Sequence, residues 1–264
     1  MTAGLRIVIT GAAGLAGRGV RPVLRAAGHR LVLLDLVAAD PVGTETALLA
    51  SVTDLDAVRE AVRGADVVVH LGGISRERPW REVLEANVDG TRCVLEAARD
   101  AGVRRVLLAS STHAVGFHPV PARPVEHLAP RPDSYYGVSK AAMEALGAVF
   151  ADRHGMSVVS ARIGTVLERP TNSRSLSTWL SFPDLARMIE AVAALDAPGG
   201  HVIWGISRNT RAWAGLEAGH AIGYYPQDDA EAHAATIDVG DASEADGLIG
   251  GAFADPGHGL GDAW

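Results

Sequence analysis

Short apolar runs alternate with longer amphipathic segments along roughly the first 165 residues. Continuous runs rich in Val, Ile and Leu are typical of strands buried on both faces, and segments with helical spacing are typical of the helices that cover them. The runs predict strands at Leu5–Thr10, Leu31–Asp35, Val67–Leu71, Val106–Ser110 and Ser157–Ile163. The segments between them predict helices at Leu15–Ala27, Leu55–Arg63, Trp80–Ala101 and Ser134–His154. This alternation predicts an α/β fold with a parallel sheet, whose ligands bind beyond the carboxyl ends of the strands.

The pattern changes after Gly164. Thr165–Ser181 is polar and predicts a loop, Pro183–Leu195 predicts a helix, and His201–Trp204 is a candidate for one more strand. From about Gly240 the chain is rich in Gly, Ala and Asp, which predicts a loosely structured tail. We therefore expect a core over residues 1–164 and, over residues 165–264, a small substrate-binding region with a tail that is not an independent domain.

A glycine-rich turn follows the first predicted strand. Gly11, Gly14 and Gly17 lie in the run Thr-Gly-Ala-Ala-Gly-Leu-Ala-Gly, between that strand and the next helix. Glycines at this spacing let the chain turn sharply, let backbone amides approach a pyrophosphate at the helix N-terminus, and let helix and strand pack closely. In this context the motif predicts a Rossmann-type, doubly wound sheet that binds a dinucleotide, whereas by itself it would indicate only a tight turn. Pro22, inside the same helix, predicts a kink or a short break.

Asp35 ends the second predicted strand, 18 residues after Gly17. A carboxylate at this position can accept hydrogen bonds from both hydroxyls of an adenosine ribose, and it repels a 2′-phosphate. The next residue is Leu36 and not an arginine, so NAD is favoured over NADP. The alternative is that Asp35 is an ordinary solvated acid in a loop.

The use of basic residues is unusual, because Lys140 is the one lysine among 24 lysines and arginines. A lysine in such a chain points to a position that needs a compact charge or an exchangeable proton. Lys140 follows Tyr136 by four residues, so both lie on one face of the predicted helix. A nearby ammonium stabilises a phenolate, which makes Tyr136 a candidate general base. Ser111 follows the fourth predicted strand and would bind the reacting oxygen; the alternative for the Tyr–Lys pair is an exposed helix face.

Composition narrows the class of protein. The 264 residues are 48% hydrophobic and 21% charged with a net charge of −7, which is normal for a folded domain and lacks the basic bias of a nucleic-acid binder. No apolar run approaches the roughly 20 residues of a membrane-spanning helix, and no secretory signal pattern is visible. Cys93 is a single cysteine and cannot form an internal disulfide. We expect a cytoplasmic protein without a metal site and without nucleic-acid or membrane partners.

The glycine-rich turn, Asp35, Asn87, Ser111 and the Tyr136/Lys140 pair together resemble the extended short-chain dehydrogenase/reductase family. The resemblance implies a structural and proton-relay role for Asn87, for which a polar group bonded to helix backbone is the alternative. It further implies a set of NAD contacts in addition to the glycines and Asp35: Leu15, Ala16, Ser51, Val52, Leu71, Gly72, Gly73, Asn87, Tyr136, Lys140 and Ile163. Ser51 stands where relatives often have an acid that binds adenine. Members of the family often self-associate, and we expect a homo-oligomer.

Several runs are similar to one subgroup of that family, the uronate dehydrogenases. They are His70–Ser75, Ala109–His113 with Gly116, Tyr136–Lys140, Arg162–Gly164, Arg174–Trp179, Val202–Gly205 and Gly250–Phe253, of which Arg174–Trp179 is the most specific. The subgroup implies that NAD oxidises glucuronate or galacturonate at C1 to an aldarolactone while Tyr136 takes the hydroxyl proton. It implies that Arg174 holds the substrate carboxylate and that the sugar contacts Ser75, Ser111, Thr112, His113, Tyr136 and Thr165. Thr112 replaces the usual asparagine.

Other interpretations stay open at this point. A nucleotide-sugar epimerase or dehydratase would share the glycine-rich turn and the Tyr–Lys pair, although such enzymes need a larger C-terminal region than the 124 residues that follow Lys140. A dinucleotide-sensing regulator on the same fold would not need the Tyr–Lys pair. Among single residues, His113 is alternatively a loop histidine, Arg174 a surface arginine and Ser75 a cap of the next helix.

Overall fold

A computed structural model describes residues 4–237 and 247–263. The strands in this part of the chain are β1 (Arg6–Thr10), β2 (Arg30–Asp35), β3 (Thr46–Leu49), β4 (Val67–His70), β5 (Arg105–Ser111), β6 (Ser157–Ile163), β7 (Thr165–Val166), β8 (Trp179–Leu180) and β9 (Gly199–Gly205). Within the described residues, seven strands form one parallel sheet in the order β3-β2-β1-β4-β5-β6-β9, and β7 pairs with β8 separately. The chain therefore winds outward in both directions from β1, and the crevice between β1 and β4 is the expected ligand position.

The helices cover both faces of this sheet. They are α1 (Leu15–Ala26), α2 (Leu55–Val62), α3 (Trp80–Val83), α4 (Gly90–Asp100), α5 (Tyr135–His154), α6 (Ser175–Thr178), α7 (Phe182–Ala193) and α8 (Glu217–Ala221). Because successive strand residues point to opposite faces, Ile7 and Ile9 pack into a core with α1 and α7, whereas Val8 and Leu34 pack into a second core with α2, α4 and α5. The predicted Rossmann-type, doubly wound sheet is confirmed.

Four local features differ from the pattern of the sequence. The strand β3 escapes prediction because it lies at the sheet edge with Thr46, Ala47 and Leu49 exposed, so it lacks a continuous apolar run. The helix α1 continues through Pro22 without the predicted break, since it loses only one backbone hydrogen bond there. The long helix predicted at Trp80–Ala101 contains a π-helical segment at Leu84–Asp89. The segment predicted as a loop, Thr165–Ser181, contains β7, α6 and β8.

The C-terminal segment 247–263 is better ordered than its composition predicts. Gly247 accepts a hydrogen bond from the Val120 N–H at 2.9 Å, and Ile249 is buried in a cluster that includes Trp204. Residues Gly251–Ala254 then form a 3₁₀ turn. The predicted loose tail is therefore wrong for residues 247–263, whereas Gly240, at its predicted start, lies outside the described residues. The division of the chain at Gly164 stays a prediction. The elements β9 and α7, which follow Gly164, belong to the central sheet and to the helices that cover it.

The helices in the described ranges include none that is both long enough and apolar enough to cross a bilayer.

Candidate functional site

A cavity of about 630 Å³ opens at the carboxyl edge of the sheet, where β1, β4, β5 and β6 end. Most of the residues predicted to bind cofactor or substrate line this cavity: Gly11, Gly14, Leu15, Ala16, Gly17, Asp35, Ser51, Val52, Leu71, Gly72, Gly73, Ser75, Ser111, His113, Tyr136, Lys140 and Ile163. Asn87, Thr112, Thr165 and Arg174 do not line it. The fold thus brings distant segments of the sequence to one cavity and leaves four predicted contacts outside its wall.

The glycine-rich turn forms one end of the cavity. Gly11 has φ +70°, and a Cβ at this position would lie 2.6 Å from the Gly72 nitrogen. A Cβ at Gly17 would lie 2.5 Å from the Gly11 carbonyl oxygen, so the start of α1 can approach β1 only with glycine there. No side chain in the described residues caps α1, whose first amides therefore face the cavity without a side-chain acceptor. This arrangement can accept a pyrophosphate.

Asp35 lies at the end of β2 beside this turn. Its Oδ2 accepts a hydrogen bond from the Ala13 N–H at 2.8 Å, and its Oδ1 accepts one from the Val37 N–H at 3.1 Å. These bonds hold the half-buried carboxylate at the cavity wall, so it is not a solvated loop acid. Each oxygen keeps a lone pair for a ribose hydroxyl.

A buried chain of hydrogen bonds fixes the turns after β1 and β4 to each other. Thr10 Oγ1 accepts from the Gly72 N–H at 3.1 Å and lies 2.7 Å from His70 Nδ1, and His70 Nε2 lies 3.2 Å from Thr91 Oγ1. Thr91 donates in turn to the Asn87 carbonyl at 2.5 Å. Burial, with a smaller contribution from the Lys140 charge, lowers the pKa of His70 to about 3. His70 is therefore a neutral structural group.

Tyr136 and Ser111 meet at the other end of the cavity. Tyr136 lies in the first turn of α5, and Ser111 ends β5, where its Oγ accepts from the His113 N–H at 3.2 Å. Burial raises the pKa of Tyr136 to about 12; a hydrogen bond with Ser111 opposes the rise, and the Asp133 charge adds to it. The phenol is thus protonated at neutral pH in this state, and it becomes a base only when further positive charge approaches.

Lys140 lies one helical turn beyond Tyr136. Its Nζ is 5.5 Å from the centre of the Tyr136 ring and donates to the Ala109 carbonyl at 2.7 Å. Burial lowers the pKa of Lys140 to about 8. Within the described residues no carboxylate lies at ion-pair distance from Nζ, so two of its three donors remain for a ligand. The glycine cradle at one end and this buried ammonium at the other fit a dinucleotide that spans the cavity.

Asn87 lies behind the cavity wall, in the π-helical segment. Its Oδ1 accepts from the Ile74 N–H at 2.7 Å, and its Nδ2 donates to the Ile74 carbonyl at 2.9 Å and to Ser139 Oγ at 2.8 Å. Ser139 Oγ donates to the Tyr136 carbonyl at 2.6 Å. With these bonds made, Asn87 fixes the loop after β4 against α5, and its contact with the cofactor stays a prediction.

Besides Ser111 and Tyr136, two more of the predicted substrate contacts, Ser75 and His113, lie at the cavity surface. Ser75 is exposed there and does not cap the next helix, whose N-cap position is Pro79. The His113 ring packs against the Phe253 ring with centroids 4.0 Å apart and against the edge of Tyr136 at 5.6 Å. His113 Nδ1 lies 2.7 Å from Asp133 Oδ2. His113 is thus built into the aromatic wall around Tyr136.

Three predicted substrate contacts, Thr112, Thr165 and Arg174, lie outside the wall. Thr112 is 1% exposed because it begins the 3₁₀ turn after β5 and points away from solvent. Thr165 Oγ1 lies 3.0 Å from Thr178 Oγ1, which donates to the Arg174 carbonyl at 3.1 Å. Arg174 Nη2 donates to the Ile249 carbonyl at 2.6 Å. Burial lowers the pKa of Arg174, and the negative charge of Asp133 opposes this shift. Within the described residues, no carboxylate forms an ion pair with Arg174.

Two residues of the site were not predicted. Glu77 is fully buried and accepts hydrogen bonds from the N–H groups of Tyr135, Tyr136 and Gly261, at 3.2, 2.9 and 2.8 Å. Phe253 lines the cavity from the C-terminal segment. Glu77 is a charged residue between polar neighbours, so nothing in the sequence near it indicates a buried position at the site. Phe253 does have a signal, because it ends the run Gly250–Phe253, one of those that carry the family resemblance.

Comparisons with known proteins agree with this geometry. The model of the NAD dependent epimerase/dehydratase family matches residues 7–214. Uronate dehydrogenase from Pseudomonas syringae pv. tomato is 40% identical over 89% of this chain and 86% of its own, and the enzyme of the same name from Pseudomonas putida is 37% identical over 94% and 95%. A crystal structure of an Agrobacterium tumefaciens uronate dehydrogenase variant complexed with NAD superposes with a TM-score of 0.88, at 37% identity over 96% of this chain and 97% of that one. The chain therefore belongs to the NAD dependent epimerase/dehydratase family, and it is an NAD-dependent oxidoreductase.

Proposed function

We propose that this enzyme oxidises a hexuronic acid, glucuronate or galacturonate in its ring form, at C1 to the aldarolactone. The cation at Arg174 is the observation that carries the choice of substrate class. It is partly desolvated, it donates to the Ile249 carbonyl, and among the described residues it lacks a carboxylate partner. A planar guanidinium in this condition suits a ligand carboxylate, which can accept two of its N–H groups.

The proposed step removes a hydride and a proton from the C1–H and C1–OH groups. NAD, when bound, would supply the acceptor for the hydride and additional positive charge. Tyr136 receives the hydroxyl proton, and Ser111 holds the oxygen that becomes the lactone carbonyl. Lys140 supplies positive charge 5.5 Å from the Tyr136 ring and stabilises the phenolate that takes the proton.

The remaining substrate contacts follow from the same proposal. Ser75 and His113 lie at the cavity surface and would bind sugar hydroxyls. Thr112 is 1% exposed and the Thr165 hydroxyl lies 3.0 Å from that of Thr178, so both would act through their neighbours. Arg174 lies just behind the wall, where a Cβ at Gly251, two residues before the cavity-lining Phe253, would be 3.2 Å from its Nε. We assign residues 165–264 to substrate binding because they contribute Arg174 and Phe253. Cytoplasmic location and self-association stay predictions.

The test is NADH formation by the purified protein with NAD and a panel of glucuronate, galacturonate, glucose, galactose and UDP-glucose. We expect turnover of the uronates. In Arg174→Ala, kcat/KM for uronates should fall roughly 10- to 100-fold, the value of a charge-assisted hydrogen-bond pair, with a much smaller change for any neutral sugar. Arg169→Ala is the matched control, because Arg169 is an exposed arginine of the same segment.

Equal losses on uronates and neutral sugars in Arg174→Ala would contradict the carboxylate contact but keep the dehydrogenase. Turnover of UDP-glucose in place of uronates would favour a nucleotide-sugar enzyme. NAD binding with no turnover of any sugar would refute the proposed reaction and favour a dinucleotide sensor.

A further inference from the structure

A buried carboxylate, Asp133, contacts His113 from behind the cavity wall. Its Oδ2 lies 2.7 Å from His113 Nδ1, and its side chain has 0% exposed surface. Asp133 precedes α5, and His113 lies in the 3₁₀ turn after β5, so this contact joins the two segments that carry Tyr136 and Ser111. The reaction proposed above gives this carboxylate no role, and its charge opposes ionisation of Tyr136.

The position of Asp133 is fixed by residues around it. A Cβ at Gly116 or at Gly250 would overlap Asp133 Oδ2, so the carboxylate occupies a slot that two glycines leave open. The slot is closed by a hydrogen bond of 2.9 Å from the Gly250 N–H to the Gly116 carbonyl. On its other side, Asp133 Oδ1 accepts from Ser134 Oγ at 2.7 Å. Because both of its oxygens are held, the Asp133 carboxylate keeps the His113 ring in place.

The contact determines which nitrogen of His113 carries the proton. A carboxylate oxygen only accepts, so Nδ1 must donate to Asp133 Oδ2. In the neutral imidazole Nε2 then has a lone pair and no proton. Nε2 makes no hydrogen bond within residues 4–237 and 247–263, and the ring is held between Phe253 and Tyr136.

We propose that Asp133 is a positioning residue that acts through His113: it keeps the proton on Nδ1, so that Nε2 accepts a hydrogen bond from a substrate hydroxyl beside the reacting carbon. The proposal rests on the function proposed above and deepens it, because it assigns a different group of the substrate to each of two polar residues, His113 and Arg174. His113 takes a hydroxyl and repels an anion, with Asp133 behind it, and the substrate carboxylate is left to Arg174.

Asp133→Asn is the informative change because the surrounding bonds favour one orientation of the new amide. Ser134 Oγ accepts from the Gly137 N–H at 3.0 Å and donates its proton to Asp133 Oδ1, and we expect the amide to keep this second bond by turning its carbonyl oxygen toward Ser134. The amide NH₂ group then faces His113 Nδ1 and forces the proton onto Nε2. The shape of the site is kept, and the hydrogen-bond character of Nε2 is inverted.

A double-mutant cycle tests whether Asp133 acts through His113. We expect Asp133→Asn to lower kcat/KM for a uronate roughly 10- to 100-fold, as loss of an orienting carboxylate does for metal-bound histidines, while NAD affinity changes less than about twofold. In a His113→Ala background the same change should have little effect. The control is Asp184→Asn, a fully buried acid that accepts from the Gln227 and Asp228 N–H groups outside the cavity; it should lower the melting temperature and leave kcat/KM unchanged.

Nitrogen-15 NMR of the histidine rings shows which nitrogen of His113 carries the proton, and it needs no turnover. The signal of His113, one of 10 histidines, is assigned by its loss in His113→Ala; we expect protonated Nδ1 and bare Nε2 in the wild type and the reverse in Asp133→Asn. A proton on Nε2 in the wild type, or equal losses of kcat/KM with and without His113, would overturn the proposal. If the wild type oxidises no uronate but shows the expected ring state, the proposed reaction fails while the Asp133–His113 assignment stands.

Discussion

Glu77 offers a sharp test of how the helix that carries Tyr136 is held. The first N–H groups of a helix have no partner within the helix. In α5, Ser134 accepts from the N–H of Gly137 at 3.0 Å, while the Glu77 carboxylate accepts from those of Tyr135 and Tyr136 at 3.2 and 2.9 Å. The same carboxylate accepts from Gly261 at 2.8 Å. We predict that Glu77→Gln destabilises the protein and slows the reaction.

The size of the destabilisation follows from the three hydrogen bonds that the Glu77 carboxylate accepts. Oε1 serves two N–H groups and Oε2 serves one, so the glutamine carbonyl will take the Oε1 position and its NH₂ group will face the Tyr136 N–H. One bond to a charged group is lost, at about 1.5–3 kcal/mol, and the attraction between the carboxylate and the positive helix end is lost, at about 0.3–1 kcal/mol. Relief of carboxylate burial offsets part of this, which leaves about 2 kcal/mol.

Urea unfolding followed by circular dichroism measures this loss, which corresponds to a fall of about 4–8 °C in melting temperature for a chain of this size. Glu60→Gln, an exposed glutamate on α2, is the matched control and should change the free energy of unfolding by less than about 0.5 kcal/mol. An unfolding curve for Glu77→Gln that coincides with those of wild type and control would refute the reasoning. If Glu77→Gln lowers the free energy of unfolding but leaves kcat unchanged, Glu77 does not contribute to the position of Tyr136.

Three further predictions concern the cavity and the loop beside it. Tyr136→Phe should lower kcat by roughly 10²- to 10⁴-fold, the value of a general base, with NAD affinity nearly unchanged by titration calorimetry; retained turnover would exclude Tyr136 as the base. Asp35→Ala should weaken NAD binding and reduce discrimination against NADP, and an unchanged ratio of the two affinities would show that Asp35 does not contact the ribose. Burial raises the pKa of Glu45, but hydrogen bonds from Arg21, Val42 and Arg25 outweigh burial and lower the pKa from 4.5 to about 2. Its stabilisation is therefore present above about pH 4.5 and lost as pH falls toward 2; if the acid-induced fall in melting temperature is as steep in Glu45→Gln as in the wild type, this assignment is wrong.

The sequence predicts those parts of the site that depend on neighbours close along the chain. Gly11, Gly14 and Gly17 act within one turn, and Tyr136 and Lys140 are paired by helical spacing, so local patterns suffice for both. Asp35 is predictable because it ends an apolar strand whose position in a doubly wound sheet is set by the fold. The edge strand β3 lacks such a signal, since its exposed face carries no apolar pattern.

Contacts between distant segments escape this kind of prediction. Glu77 and Gly261 are 184 residues apart, and nothing near either residue indicates the other. Asn87 was predicted from resemblance, but its partners, Ile74 and Ser139, become visible only when α5 packs beside the π-helical segment. The same holds for the C-terminal segment: its glycine-rich composition predicts a loose tail, whereas the slot that Gly250 leaves open for Asp133 exists only in the folded site.

The three buried acids around α5 explain how Lys140 keeps its donors available. Glu77 is occupied by backbone N–H groups and Asp133 by His113 and Ser134. Glu144, on α5 itself, is paired with Arg162 at 2.8 Å and accepts from Ser110 at 2.6 Å. An unoccupied carboxylate in this low-dielectric region would pair with the nearest ammonium and neutralise it. Because each acid is already occupied, the charge of Lys140 stays 5.5 Å from the centre of the Tyr136 ring without a carboxylate to neutralise it, and its remaining donors stay available for the proposed ligand.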